Sequence, residues 1–341
     1  MYIKKILVAI SLLGLVVFAI FSYKIYNAIF VPNTAFNNTK ATLYIGSDAK
    51  FKDVVEDLTP LLKDIETFKQ VAEKKKYSSN IKGGKYEIKK GMNNNDIVNV
   101  LRSKNIPVKV SFNNQESLAK LAGRISKQIE ADSLSLLQSF TDMSFLDENN
   151  FSADTSLGMY IPNSYEFFWN TSADEFRGKM LTEYKKFWND SRLSKAKKIG
   201  LTPNKVMALA AIVHKETVKS DERPRVAGVY MNRLKTGMLL QADPTVVFAV
   251  KKGTGVQLKR VLNKHLEINS PYNTYRNAGL PPGPIAMPDI SAIDAVLNYE
   301  RHNYYYFVAD VKKIGYHKFA KTLSQHNRNA AEYHKWVSKI H

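Results

Sequence analysis

The sequence predicts an α+β protein built in three parts: an N-terminal transmembrane helix, a small α+β module and a larger mixed α+β domain. Three observations predict this. A long apolar run lies near the N-terminus. Between residues 41 and 112, short alternating runs stop at glycines and give way to helical stripes. From about residue 151, helical stripes, Pro/Gly loops and a closing hairpin succeed one another. The expected division is 1–32 (cytoplasmic tip and anchor), 41–112 (module), 113–150 (helical connector) and 151–341 (the domain that carries the chemistry).

The bulk numbers bound this reading. A chain of 341 residues, 44% of them hydrophobic, suffices for one anchor and one or two globular domains. It has no cysteine, which excludes disulfides, thiolate catalysis and Cys-ligated metal. The net charge is +19, yet the lysines are spread along the chain. No recognition-helix signature, zinc finger or basic-aromatic stacking motif accompanies them, so no nucleic-acid partner is expected. A basic surface also suits work beside anionic lipid or polymer.

Lys4 and Lys5 precede the apolar run from Ile6 to Phe21. Tyr23, Lys24 and the segment Ile25 to Phe30 come next, and Pro32 with Asn33 ends it. A spanning helix needs about 20 residues. No small-x-small cleavage site comes after the core, so the segment reads as an uncleaved anchor. Lys4, Lys5 and the terminal amine lie before the span and Lys24 at its far edge. The positive-inside rule then expects a single-pass protein of the cytoplasmic membrane, N-terminus in the cytoplasm and the rest outside.

Residues 33–40 read as a polar linker. Ala41 to Ile45 is a strand candidate ending at Gly46, and Phe51, Val54, Val55 and Leu58 recur at helical spacing. A similar unit repeats: Tyr86-Glu87-Ile88 alternates, Gly91-Met92 turns, and Ile97, Val98 and Leu101 form a stripe. Val108 to Phe112 is another strand. The strand–Gly–helix outline resembles a LysM-like domain, and a glycan-binding module and a plain spacer both fit it. Residues 116–140 have a helical pattern on Leu118, Leu121, Ile125 and Ile129. Asp132 to Asn150 is acidic and polar and is expected to mark the domain boundary.

The chemistry is concentrated further on. Thr202-Pro203 is a helix start, a hydroxyl cap and then proline at the first helical position. Val206, Leu209, Ala210 and Val213 continue it as one apolar stripe. Glu216 falls on the same stripe, three residues after Val213. Burial there would raise its pKa and let it hold a proton near neutral pH, as a general acid must. The plainer alternative is a structural glutamate paired with Lys215 or Arg223.

A second helix has Ser220 or Asp221 as cap, Pro224 in its first turn, a core face of Val226, Val229, Tyr230 and Leu234, and Gly237 as stop. Asp243-Pro244 is expected to form a turn that presents Gln241 and Asp243. Segments 270–275 and 279–285 read as stiff loops rich in tyrosine, amide and proline. Such groups suit a sugar, rings against its apolar face and amides on its hydroxyls. Tyr304 to Ala309 and Tyr316 to Phe319 form a hairpin around Gly315, and His326-Asn327 opens a last helix. His302, His317 and His326 lack zincin spacing, so no metal and no cofactor are expected.

Taken together, these residues resemble the endolytic murein transglycosylase family (YceG-like, MltG type). The segments that carry the likeness are Ile212 to Thr217, Val226 to Leu234, Leu240 to Val246, Tyr272 to Tyr275, Gly279 to Ile285, and Tyr306 to Ala309 with His326-Asn327. There are departures. His214 stands where the family often has a glutamate, and the family's upstream Glu-Gly and Pro-Asp element reads here Leu157-Gly158 and Pro162-Asn163.

The resemblance implies a membrane-anchored lyase that cuts the MurNAc–GlcNAc β-1,4 bond of nascent strands, leaves a 1,6-anhydro end and terminates strand growth. It implies Glu216 as the catalytic acid/base. Asn232, Gln241, Asp243, Tyr272, Asn273 and Tyr275 are candidates to hold the glycan, and Glu222, His326 and Asn327 are auxiliary candidates. Glu222 is a like charge able to tune Glu216 if it lies close. Peptidoglycan strands and the membrane are the expected partners, with peptidoglycan synthases a further candidate. A water-using glycoside hydrolase and a non-catalytic glycan-binding scaffold are the alternatives.

Overall fold

The computed structural model describes residues 2–340. Met1 and His341, the outer ends of the predicted anchor and catalytic segments, lie outside the described residues. The chain divides into two compact units. One runs to Val110 and adds Lys127–Ala131 and Tyr165–Ser172; the other comprises Ser111–Ser126, Asp132–Ser164 and the chain from Ala173.

The first unit opens with α1 (Tyr2–Phe30), long and apolar enough to cross a membrane, its side chains exposed along most of its length. It continues with β1 (Lys40–Ile45), α2 (Phe51–Leu58), α3 (Ile65–Lys74), β2 (Gly84–Lys89), α4 (Asn94–Ser103) and most of β3 (Pro107–Phe112). β1 and β2 pair antiparallel, Lys40 opposite Lys89 and Ile45 opposite Gly84. Alternation buries Leu43 and Ile45 of β1 and Tyr86 and Ile88 of β2, against Val54 and Leu58 of α2 and Phe68 of α3.

Residues 33–40 are not a free linker at their start. The buried Asn33 amide donates to Asp64 O and Asn94 Oδ1, both at 2.7 Å, and its oxygen accepts from the Asp64 N–H at 2.9 Å. Asn94 in turn donates to Ala28 O at 2.7 Å, and Ala28 itself is buried in the module core. An asparagine among polar neighbours reads as a loop in sequence, yet its amide has two donors and an acceptor that tie three segments together.

The second unit contains α5 (Leu118–Ile125), α6 (Ser133–Phe140), α7 (Met143–Glu148), the start of β4 (Asn163–Phe168), α8 (Ala173–Phe187), α9 (Asp190–Lys198), α10 (Pro203–Glu216), α11 (Arg223–Thr236), α12 (Asp243–Thr254), α13 (Asn263–Leu266), α14 (Ile290–Leu297), β5 (Tyr306–Ala309), β6 (His317–Ala320) and α15 (Leu323–Ile340). β3 pairs with β4, and β5 pairs antiparallel with β6 as the predicted hairpin.

Two expectations change in detail. The helical pattern over 116–140 is interrupted, and the acidic stretch after it holds two short helices. Asp132 and Asp142 are their N-caps, accepting from Leu134 and Ser135 and from Ser144 and Phe145. α10 is also more than a one-sided stripe. Every residue from Val206 to Val213 is buried, including Met207, Ala208, Ala211 and Ile212. Alanines let α11 and α14 pack close on it, so α10 is the central helix of this unit.

Candidate active site

The site is built at the C-terminal end of α10. Thr202 caps the other end through its hydroxyl, which accepts from Lys205 N–H at 3.4 Å, and the helix runs to Glu216. Arg223, buried at the start of α11, holds the turn after Glu216. Its guanidinium donates to Thr217 O at 3.4 Å, to Asp289 Oδ2 at 3.1 Å and to Ser291 Oγ at 2.6 Å. His214 joins that network, its Nδ1 3.1 Å from Asp289 Oδ2. The histidine that departs from the family pattern thus belongs to a polar clamp on the helix end.

Neither cation expected as a structural partner pairs with Glu216. Lys215 lies 3.5 Å from Glu116 and Arg223 is engaged with Asp289. Instead the fully buried Tyr230 of α11 donates its hydroxyl to Glu216 Oε1 at 2.7 Å. The Glu216 carboxyl is half-buried and opens onto a cleft of about 790 Å³, with dense protein around the rest of it. Burial raises its pKa from 4.5 to about 7, the Tyr230 hydrogen bond opposes the rise, Asp243 adds to it, and His317 and Arg233 oppose it. Such a carboxyl holds a proton at neutral pH and can also give it up.

Asp243 lines the same cleft and opens α12. The predicted Asp-Pro turn is therefore the first turn of a helix. Proline with its fixed φ suits either role, and the apolar residues after it, Val246 to Val250, extend the helix. The segment before α12 is locked in place. Thr245 and Thr274 share a hydroxyl contact at 2.8 Å, Thr274 Oγ1 accepts from Ala242 N–H at 3.0 Å, and Tyr275 donates to Asp243 Oδ1 at 2.6 Å. Gln241 is exposed and held at φ 50°, a left-handed conformation unusual for a residue other than glycine. Strain of this kind is typical of sites that hold a ligand.

The other candidates are distributed unevenly. Tyr272 reaches the cleft wall, but is 2% exposed and bonds Asp154 Oδ1 at 3.0 Å. Asn273 is buried and donates to Leu266 O and Ile268 O, at 2.8 and 2.9 Å. Asn232 donates to His302 O and Tyr304 O, at 2.8 and 3.0 Å. Both amides are spent on backbone carbonyls. Glu222 is buried and spends both oxygens on His317, at 2.7 Å on its N–H and 2.8 Å on Nδ1, so the like charge that raises the Glu216 pKa is Asp243. His326 stacks on Tyr306 with centroids 5.3 Å apart, and Asn327 is exposed.

Residues not singled out by sequence complete the site. Tyr230 reads in sequence as part of a core face, and nothing in its spacing marks the hydroxyl. Arg233 is buried beside the site, donating to Tyr305 O and Leu240 O, each at 2.7 Å. Among the described residues no group of three or more His, Asp or Glu side chains converges as a metal site requires. His302 is instead 2.9 Å from Arg225 O, and His317 is held by Glu222.

A proton-holding glutamate, oriented by a buried hydroxyl and facing an open cleft, has the chemistry that acid/base catalysis uses. A family model described as the YceG-like family matches residues 43–332, and the chain belongs to that family. An endolytic murein transglycosylase of Bacillus subtilis (strain 168) is 30% identical over 276 residues, 76% of this chain and 75% of that protein. One of Streptococcus pneumoniae serotype 2 (strain D39) is 34% identical over 177 residues, 52% of this chain and 32% of its own length. The match thus spans about a third of the pneumococcal relative. The crystal structure of a yceG-like protein from Listeria monocytogenes superposes with a TM-score of 0.58 at 28% identity, covering 86% of this chain and 99% of that one.

Proposed function

We propose that the protein is a lytic transglycosylase of peptidoglycan, anchored in the cytoplasmic membrane by α1, that cuts the MurNAc–GlcNAc bond of nascent strands with Glu216 as its acid and base. The observation that carries this is the Glu216–Tyr230 pair: a carboxyl with a pKa near 7, held in one orientation and facing an open cleft. Family membership and the names of the relatives support the substrate. In the first half of the reaction, Glu216 protonates the glycosidic oxygen as the C1–O bond breaks. The resulting carboxylate takes the proton of the muramic C6 hydroxyl, whose oxygen bonds to C1 and closes the 1,6-anhydro ring. The proton returns to Glu216, and no water is consumed. The Asp243 charge, fixed by Tyr275, favours the oxocarbenium-like transition state. Asp243 and Tyr275 remain the glycan-holding candidates that interact electrostatically with Glu216, and the exposed Gln241, two residues before Asp243, remains a third candidate. Asn232 and Asn273 act through the backbone they brace.

A second reading rests on Asp243 itself. An exposed carboxylate beside an acid is also what a water-using hydrolase needs. The product separates the two. Uncrosslinked strands are incubated with the full-length protein in detergent, wild type beside Glu216→Gln, and the ends are identified by mass spectrometry. Anhydro ends from wild type alone are expected. Reducing ends would favour the hydrolase, and cleavage by a folded Gln variant would sink the role of Glu216.

For the first unit, the order β1, α2, α3, β2 with an antiparallel pair supports a LysM-like module. The Lys4/Lys5 side of the anchor supports a cytoplasmic N-terminus. Placed so, the enzyme would trim strands near their synthesis and end their growth.

A further inference from the structure

The cleft extends beyond Glu216 to a wall that the acid/base chemistry does not use. There Glu116 is shared by three ammonium groups: Lys251 at 2.7 Å, Lys120 at 2.8 Å and Lys215 at 3.5 Å. Asp154 takes a fourth, Lys252, at 2.6 Å. Of these four cations Lys215, Lys251 and Lys252 line the cleft, three ammonium groups against Glu116 and Asp154, while Lys120 braces Glu116 from outside the lining and Asp243 is a further carboxylate of the same cleft. The hydrogen bonds from Lys120 and Lys251 hold Glu116 well below the usual carboxylate range, at about 2, and Lys252 likewise lowers Asp154. Lys215, Lys251 and Lys252 line the cleft with side chains 37%, 33% and 51% exposed, so each retains donors for a ligand.

The floor between these cations is apolar: Leu118, Leu157, Pro244, Val247, Phe248 and Ile285. A bare glycan is a poor match. It carries hydroxyls and acetamides and seeks open ring faces. Here the Tyr272 hydroxyl is engaged by Asp154, and Lys252 lies 4.6 Å over its ring. An aliphatic floor with a cationic rim instead complements a short chain of methyl and methylene groups that carries carboxylates.

We propose that this wall receives the peptide substituent of the muramic residue, with Lys251, Lys252 and Lys215 meeting its carboxylates and the floor its alkyl groups. The inference rests on the proposed substrate, and it makes the peptide a determinant of which strands bind.

The test uses binding, so that it stands apart from turnover. Full-length Glu216→Gln protein in detergent is titrated calorimetrically with a soluble uncrosslinked peptidoglycan tetrasaccharide. The same tetrasaccharide stripped of peptide by an amidase is titrated beside it. The peptide-bearing form should bind at least about tenfold tighter, a difference of about 1.4 kcal/mol. Adding Lys251→Ala and Lys252→Ala should reduce that ratio to about threefold or less. Equal affinities in the parent, or an unchanged ratio in the lysine variant, would overturn the proposal. Because both lysines hold ion pairs, a second measurement needs no further variant. The ratio in the parent should shrink as salt is raised, since exposed charges are screened over a Debye length of about 8 Å at physiological ionic strength, and a salt-independent ratio would also count against it. Failure of wild type to cleave either strand would refute the proposed activity and leave this comparison readable.

Discussion

At the scale of single residues, the raised proton affinity of Glu216, the property an acid/base role would use, opposes the stability of the fold. Its pKa lies at about 7 in the folded chain and at 4.5 without the fold. Between those values the folded state keeps a proton that the unfolded state has released, so stability falls as pH rises through the window and levels off above it. The shift corresponds to roughly 3 kcal/mol as an upper bound. Glu216→Gln cannot ionise and still accepts the Tyr230 hydrogen bond. It should therefore melt at a higher temperature than wild type at pH 8, with the advantage shrinking toward pH 5. Equal melting temperatures at both pH values would show that the carboxyl is not held against ionisation. Tyr230→Phe tests the other half of the pair. Its hydrogen bond lowers the Glu216 pKa, so its loss should move the Glu216 limb of the pH–rate profile upward. The rate should fall about tenfold, the scale of one hydrogen bond to a charged group. A slower enzyme with an unmoved profile would make Tyr230 merely structural.

At the scale of elements, the site depends on loops that touch backbone to backbone. Gly283 sits against the carbonyl of Asp154, and a Cβ there would collide with that oxygen and meet Thr155 N at 3.2 Å. Asp154 is also the residue that holds Lys252 and Tyr272 at the cleft wall. Gly283→Ala should lower the urea midpoint by an amount equivalent to about 2 kcal/mol and weaken binding of peptide-bearing strands, because the two segments must separate. An unchanged midpoint would mean the loop yields freely. Contacts of this kind divide what is legible in the sequence from what is not. Thr202-Pro203 and Gly237 announce the ends of α10 and α11, and both function as read, Gly237 at φ 70°. Asp243-Pro244 is ambiguous, since the same pair starts a turn or a helix. Glu216 is legible because a carboxylate on an apolar stripe is anomalous. Tyr230 and Arg233 are not, because a core aromatic and a surface-looking arginine carry no mark of the partners that the fold brings to them. Glu116, a hundred positions from Glu216 in the chain, has no local signal at all.

At the scale of the molecule, α1 and the module after it form one mechanical piece. The apolar side chains of α1 are exposed over most of its length, whereas Ala28 in its last turn is buried in the module core. The Asn94 amide closes on the Ala28 carbonyl at 2.7 Å, and Asn33 joins Asp64 to Asn94 just past the helix end. A flexible tether would let the module move independently of α1, but these bonds fix it against the last turn of that helix. Insertion is expected first: the full chain should stay with membranes through alkaline carbonate and require detergent for release, whereas a chain lacking residues 2–30 should not pellet. Release of the full chain by carbonate would refute insertion. The rigid joint makes a second demand. Asn94→Ala removes the side-chain donor to the Ala28 carbonyl and one of the two acceptors of the Asn33 amide, which keeps its bonds to Asp64, at a cost of about 1–3 kcal/mol for a buried group left unsatisfied. Hydrogen exchange of the module should therefore accelerate around residues 28–35 and 62–67, where Asn33 and Asn94 bridge the segments, while the exposed upper turns of α1 stay protected by lipid. Uniform exchange across both regions, unchanged by the substitution, would mean that the anchor ends in a hinge after all.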